Sequence, residues 1–167
     1  MSDDSQIQRS RLVQWEDPSI SARAAGQYSG IEFLRKIVSG EIPPPPISQL
    51  FNFHIAEVEH GRIVFSGETA EYQYNPMGTV HGGFAATILD SAMACSILST
   101  LPQGVYSTTV ELHINLVRPL FADTGKLICQ AEVLHAGKTV ATAQARLTDT
   151  AGKLYAHGTT TCMILRP

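Results

Sequence analysis

Two features of one stretch carry the chemistry this sequence can do. From Gly82 to Ser99 every residue is apolar or small except Asp90. A helix apolar around its whole circumference belongs in an interior, wrapped by other elements. A carboxylate is almost never placed there without a partner or a task. Just ahead, His81-Gly82-Gly83 opens the same helix. The N–H groups of a first helical turn have no carbonyl partner within the helix and sit at the positive end of its dipole. With no side chains in the way, two glycines there let an anion or a polarised carbonyl oxygen approach closely.

The spacing of these features has a consequence. Asp90 follows Gly82 by eight residues, which is about 12 Å along a continuous helix at about 1.5 Å per residue. One reacting carbonyl cannot touch both. They can serve one substrate only if the carboxylate comes from a second copy of the chain packed antiparallel beside the first. A functional reading therefore implies a two-fold homodimer with sites at the interface.

The elements that must position this helix are legible on either side of it. Residues 1–28 read as a polar arm, mobile or laid over the surface, with Trp15 and Tyr28 as its large apolar anchors. Ser29-Gly30-Ile31-Glu32 has capping-box spacing, and Phe33, Leu34, Ile37 and Val38 follow at helical intervals up to a stopping Gly40. Pro43 to Pro46 predict an extended connector that joins no sheet. Phe53, Ile55 and Val58, a turn at Glu59-His60-Gly61-Arg62, then Ile63 and Phe65 read as a hairpin. After the helix come four strand-like segments, at 105–117, 125–135, 139–149 and 153–165. Two strands, a buried helix and four strands with short connections predict an α+β fold, an antiparallel sheet curled around one helix. The expected organisation is an N-terminal extension over 1–50, with its short helix and proline linker, ahead of a body over 51–167.

Bulk properties narrow the class. With 167 residues and 44% hydrophobic content the chain can bury a sizeable core. Net charge is −3 and no basic stripe occurs, which argues against nucleic acid as a partner. No apolar run of the length of a membrane span is present, and the N-terminus, with Asp3 and Asp4 and no apolar core segment, reads as no secretion signal. Cys95, Cys129 and Cys162 are scattered within apolar segments and read as reduced packing residues of a cytoplasmic protein. His54, His60, His113, His135 and His157 show no metal-ligand spacing, so neither a metal nor another cofactor is expected. No nucleophile elbow and no phosphate-binding glycine loop occurs.

The order of elements, with Asn75-x-x-Gly78-x-x-His81-Gly82-Gly83 and Asp90-Ser91-Ala92, resembles the hotdog-fold acyl-CoA thioesterases, in particular the PaaI-like phenylacetate-pathway group. The similarity spans about Phe51 to Leu165. The resemblance implies hydrolysis of a small or medium acyl or aryl-acetyl CoA thioester, in a homodimer paired further into a tetramer. Asp90 would then be nucleophile or general base, and the Gly82 and Gly83 amides would hold the thioester oxygen. Asn75 would face the Asp across the dimer interface, and His81 would fix the turn or contact the oxygen. A hydroxyl residue on the strand after the helix would lie near the carboxylate: Thr109 is the match, with Thr108 the alternative. Arg118 and the Gly137-Lys138 turn would lie toward the nucleotide end of CoA. Ser91 stands where Thr is frequent, a mild departure.

Blander roles compete with each of these. Asp90 could be a buried carboxylate tied to a backbone group, Asn75 a turn residue before Pro76, and Lys138 a plain hairpin lysine. The functional reading is favoured because a thioester carbonyl is electrophilic and has a good leaving group, so one carboxylate and a few oxyanion donors suffice without a triad. Two other readings remain: an enoyl-thioester hydratase or dehydratase, and an acyl-CoA binding or sensing module without chemistry.

Overall fold

A computed structural model of the chain describes residues 8–166. The helix expected at the centre runs over Gly82–Leu98 as α4, and six strands surround it: β1 Phe53–Glu59, β2 Arg62–Glu68, β3 Tyr106–Leu116, β4 Lys126–Ala136, β5 Val140–Asp149 and β6 Leu154–Leu165. They form a single sheet in the order β1-β2-β4-β5-β6-β3. Every pairing is antiparallel. This is the predicted α+β architecture, and each strand lies within a residue or so of its sequence-read bounds.

Several helix-facing positions of the sheet are small, which lets it wrap closely. Ala131, Ala141, Ala143, Ala145 and Ala156 are all buried beneath α4. Alternating side chains put these residues on one face. Irregularities in register within β1, β3, β4 and β5 bend the strands around the helix. From α4, Phe84, Ile88, Leu89, Met93 and Ile97 fill the interior against Ile63, Leu127 and Leu147.

One expectation about α4 needs correcting. Its own sheet does not wrap it all round: Ala86, Thr87, Asp90, Ser91 and Ala94 are only half-buried. They recur at the three- and four-residue spacing of one helix face. That face carries small residues and one carboxylate, and the sheet leaves it uncovered. The edge strand β3 is also unpaired along its outer side and exposes Val110, Leu112 and Leu116.

The N-terminal segment holds more structure than its sequence was read to hold. The reading of residues 1–28 as an arm falls outside the described residues for 1–7. Beyond them Asp17 caps a helix, α1, over Pro18–Ala25, its carboxylate accepting the Ser19 N–H at 2.9 Å. Trp15 is no anchor, being 59% exposed. The capping box forms as read, with Glu32 accepting the Ser29 N–H at 3.0 Å and its hydroxyl at 2.6 Å, and α2 spans Gly30–Ser39 to a left-handed Gly40. The proline run is not wholly a connector, because Pro46 opens a third helix, α3, over Pro46–Phe51. Proline lacks only an N–H that the first helical position leaves unused anyway.

Candidate active site

The loop before α4 sets the position of its first turn. The Asn75 side-chain oxygen accepts the N–H groups of Met77 at 2.9 Å and Thr79 at 3.3 Å, while its Nδ2 donates to the Thr79 hydroxyl at 2.9 Å. Asn75 therefore builds its own turn, and one Nδ2 hydrogen is left over. On leaving the turn, the Val80 N–H donates to the Leu120 carbonyl and the His81 N–H to that of Gln73. The chain is thus pinned from two sides where the helix begins.

His81 is the N-cap of α4. Its Nδ1 accepts the Gly83 N–H at 2.9 Å. The neutral ring then carries its proton on Nε2. Gly83 consequently does not offer a free amide, contrary to the expectation that both glycines do. The Gly82 N–H has no acceptor among the described residues. A Cβ at Gly82 would come within 2.6 Å of Leu116 Cδ1, so β3 packs close against this bare turn. Asn75, His81, Gly82 and Arg118 line one pocket of about 260 Å³. The Arg118 guanidinium donates to the Leu154 carbonyl.

Asp90 lies two turns further along the helix, on its uncovered face. The Thr109 hydroxyl donates to Asp90 Oδ1 at 2.9 Å. That resolves the ambiguity with Thr108, which points to the exposed face. A register shift between Thr109 and Glu111 accompanies the inward turn of Thr109. The Thr109 oxygen also lies 3.8 Å from Cys162 Sγ. Oδ2 of Asp90 accepts no hydrogen bond among the described residues.

The nearby thiols are not nucleophiles. Burial, and then the Asp90 charge, push the Cys95 thiol up to about 12. Burial also raises Cys162, against the lowering effect of its hydrogen bond with Thr109. A thiol held protonated attacks nothing at neutral pH.

Within one chain the residues singled out in the sequence thus fall into three places. Asn75, His81, Gly82 and Arg118 gather at the start of α4, and Asp90 pairs with Thr109 at its middle. Gly137 and Lys138 sit in the β4–β5 turn, where the Gly137 N–H donates to the Val140 carbonyl at 3.0 Å. That turn lies toward the other end of the helix from Arg118. Residues before Asn75 had been given no functional part, yet Phe33, Ile37 and Ile47 share a cavity with Asp90. The available signal was the apolar helical spacing from Phe33 to Val38; which element that face would cover was not readable.

Comparison with known proteins agrees with this architecture. Residues 77–156 match the model of the thioesterase superfamily. Over 100 residues the chain is 34% identical to acyl-coenzyme A thioesterase 13 of Homo sapiens, covering 59% of this chain and 69% of that one. A phenylacetic acid degradation-related protein from Ralstonia eutropha superposes with a TM-score of 0.71 at 29% identity, over 78% of this chain and 98% of the other. The PaaI protein of E. coli shares the fold, with a TM-score of 0.70 at 20% identity over 82% and 95% of the two chains. With an antiparallel sheet wrapped round one glycine-headed helix and this degree of likeness, the chain belongs to the thioesterase superfamily and is a thioester hydrolase of hotdog fold.

Proposed function

We propose that the protein hydrolyses a small or medium acyl or aryl-acetyl CoA thioester to the free acid and CoA, at two equivalent sites in a two-fold dimer. In each site the start of α4 from one protomer meets Asp90 of its partner. The reading is carried by one observation: a single unbroken helix holds an unclaimed amide at Gly82 and a carboxylate steadied by Thr109.

The spacing of about 12 Å along that helix forbids the two groups from acting together within a chain. Antiparallel pairing of two such helices brings one chain's start to the other's middle. The uncovered stripe on α4 and the apolar outer edge of β3 both support a second copy there, since an unpaired edge strand with exposed apolar side chains otherwise invites indiscriminate association.

In this arrangement the Gly82 N–H donates to the thioester oxygen at the positive end of the helix and stabilises the oxyanion as it forms. The spare hydrogen of Asn75 Nδ2 and the Nε2–H of His81 lie around the same pocket. Arg118 at its rim, and the Lys138 turn of the partner subunit, which antiparallel pairing brings to the same end, supply positive charge for the nucleotide end of CoA. Thr109 fixes Asp90 Oδ1 and aims Oδ2 at the carbonyl. As nucleophile, Oδ2 forms an aspartyl anhydride, the CoA thiolate leaves, and water cleaves the anhydride. As general base, Oδ2 takes a proton from water as the water attacks, and that proton leaves with the CoA sulfur. The name of the human relative supports acyl-CoA as the substrate class.

Release of free thiol from a panel of acyl-CoAs tests the activity, and no turnover above background refutes it. In a single turnover in ¹⁸O-water, label in Asp90 with none in the acid means a nucleophile whose anhydride water cleaves at the Asp90 carbonyl; if the label is in the acid, capture of an acylated Asp90 by hydroxylamine means a nucleophile and its absence a general base. A hydratase would need a histidine free to take a proton from carbon, whereas His81 Nδ1 is occupied by the Gly83 amide and its Nε2 already carries the ring proton.

A further inference from the structure

A cavity of about 470 Å³ lies against the middle of α4. On one side are Asp90, Ser91, Ala94 and Leu98 of α4. Facing them across the space are Phe33 and Ile37 of α2, Pro45, and Ile47 of α3, with Phe53 and Phe65 of the first hairpin at the base. Among the described residues Asp90 is the one carboxylate on its wall, and no lysine or arginine lines it. This volume is in the range that holds a small organic ligand, about 300–1,000 Å³. Its chemistry suits an apolar tail whose reactive head stops at the carboxylate.

The wall facing α4 is a built one. Gly30 packs so tightly on the end of α4 that an added Cβ would lie 1.8 Å from the Leu98 carbonyl oxygen. The Gly30 N–H donates to the Leu101 carbonyl at 3.0 Å, and Leu34 is fully buried. The far end is held by Arg11, whose guanidinium donates to the Gln49 and Leu50 carbonyls at 2.6 and 2.8 Å and stacks on Tyr72 at 4.0 Å. Arg11 thereby satisfies carbonyls that α3 leaves open at its C-terminus.

We propose that this cavity is an acyl-chain pocket whose outer wall is residues 33–49, so that the segment ahead of the hotdog body sets the length of chain the enzyme accepts. The proposal rests on the thioesterase reading above and deepens it. The sequence shows in this segment a short helix and a stiff linker and says nothing of their part in activity; here the segment closes the substrate pocket.

The test uses the full chain and a series of straight-chain acyl-CoAs from acetyl to palmitoyl. Ile37→Phe fills the cavity and Phe33→Ala enlarges it; thermal melts establish that each variant is folded. In Ile37→Phe the ratio of kcat/KM for the longest chain accepted to that for butyryl-CoA falls about tenfold or more, the worth of about two buried methylenes. In Phe33→Ala the optimum moves to longer chains. If both folded variants scale every substrate by one factor, the pocket assignment is wrong while the thioesterase reading stands. If the wild type cleaves neither the series nor phenylacetyl-CoA, the thioesterase reading fails, and binding of a decyl thioether of CoA decides the pocket. Tighter binding than CoA itself, weakened by Ile37→Phe, upholds it. Equal binding of the two, or a structure with a partner's side chains filling the cavity, overturns it.

Discussion

The start of α4 and its middle are built from opposite materials. Around Gly82 the site is made of backbone and loop: a capped helix end, an asparagine turn and an arginine at the rim of a pocket of about 260 Å³. Around Asp90 it is made of side chains, with a hydroxyl-steadied carboxylate facing an apolar cavity of about 470 Å³. The first region suits a carbonyl oxygen and the polar remainder of a large substrate, the second a nucleophile or base and a greasy tail. In the proposed mechanism each is half a site, and one rigid helix keeps the halves apart. Symmetry is the economical way to join them, because a rotation that pairs two helices antiparallel completes both sites at once.

Removing the Asp90 half is expected to have the largest effect. Asp90→Asn keeps the shape and the Thr109 contact but removes the charge, and turnover falls about 1,000-fold, as general base or nucleophile loss commonly does. Thiol release measures it. Gly82→Pro then breaks the other half. Proline fits the first helical position, and His81 already has the extended conformation a following proline requires, φ −60° and ψ 137°. The N–H is lost and a Cβ is added against Leu116, and kcat drops by about 100- to 1,000-fold. Gly82→Ala, which crowds Leu116 equally but keeps the N–H, separates the donor from the packing.

Mixing the two inactive variants sharpens the comparison further. After unfolding and refolding together, half of the dimers are mixed and each mixed dimer has one intact site, so about a quarter of wild-type activity returns. A mixture that stays inactive, although the subunits exchange, means the halves do not meet across chains. A smaller loss comes from Thr109→Val, which frees Asp90 to swing. A hydrogen bond to a charged group commonly contributes about 1.5–3 kcal/mol, so kcat falls roughly ten- to a hundredfold with KM little changed.

The smallest effect lies in the N-terminal segment. Hydrogen bonds from the Ser29 hydroxyl and amide hold the Glu32 carboxyl below its ordinary range. A carboxylate depressed in the folded state contributes its stability fully above the ordinary value of about 4.3 and loses it as pH falls through the lower folded value. Glu32→Gln therefore lowers Tm by about 2 °C or less at neutral pH. The difference from wild type vanishes on acidification below that window, which thermal melts at a series of pH values would follow.

Much of this was legible from pattern. Alternation along 126–136 and 140–149, and the unbroken apolar run of α4, gave the elements because the side-chain period reports the backbone directly. The type and spacing of His81, Gly82 and Asp90 marked the helix start and the carboxylate and fixed the separation between them. Other features were hidden for identifiable reasons. The choice between Thr108 and Thr109 turned on a register shift in β3, which is set by pairing with β6. The loss of the Gly83 amide depended on the side-chain torsion of His81. The helix at Pro46 did leave a trace in the spacing of Ile47, Leu50 and Phe51, outweighed by the four prolines in a row.

What the sequence determined by itself is what travels along the chain: periodicity, caps, turns, and the fixed rise of a helix that keeps Gly82 and Asp90 apart. What only the tertiary structure decided is what joins distant segments. Residues 33–49 close a cavity beside Asp90 because the apolar face of α2 must be buried somewhere. Local sequence states that such a face exists, and only the packed chain states which surface it covers.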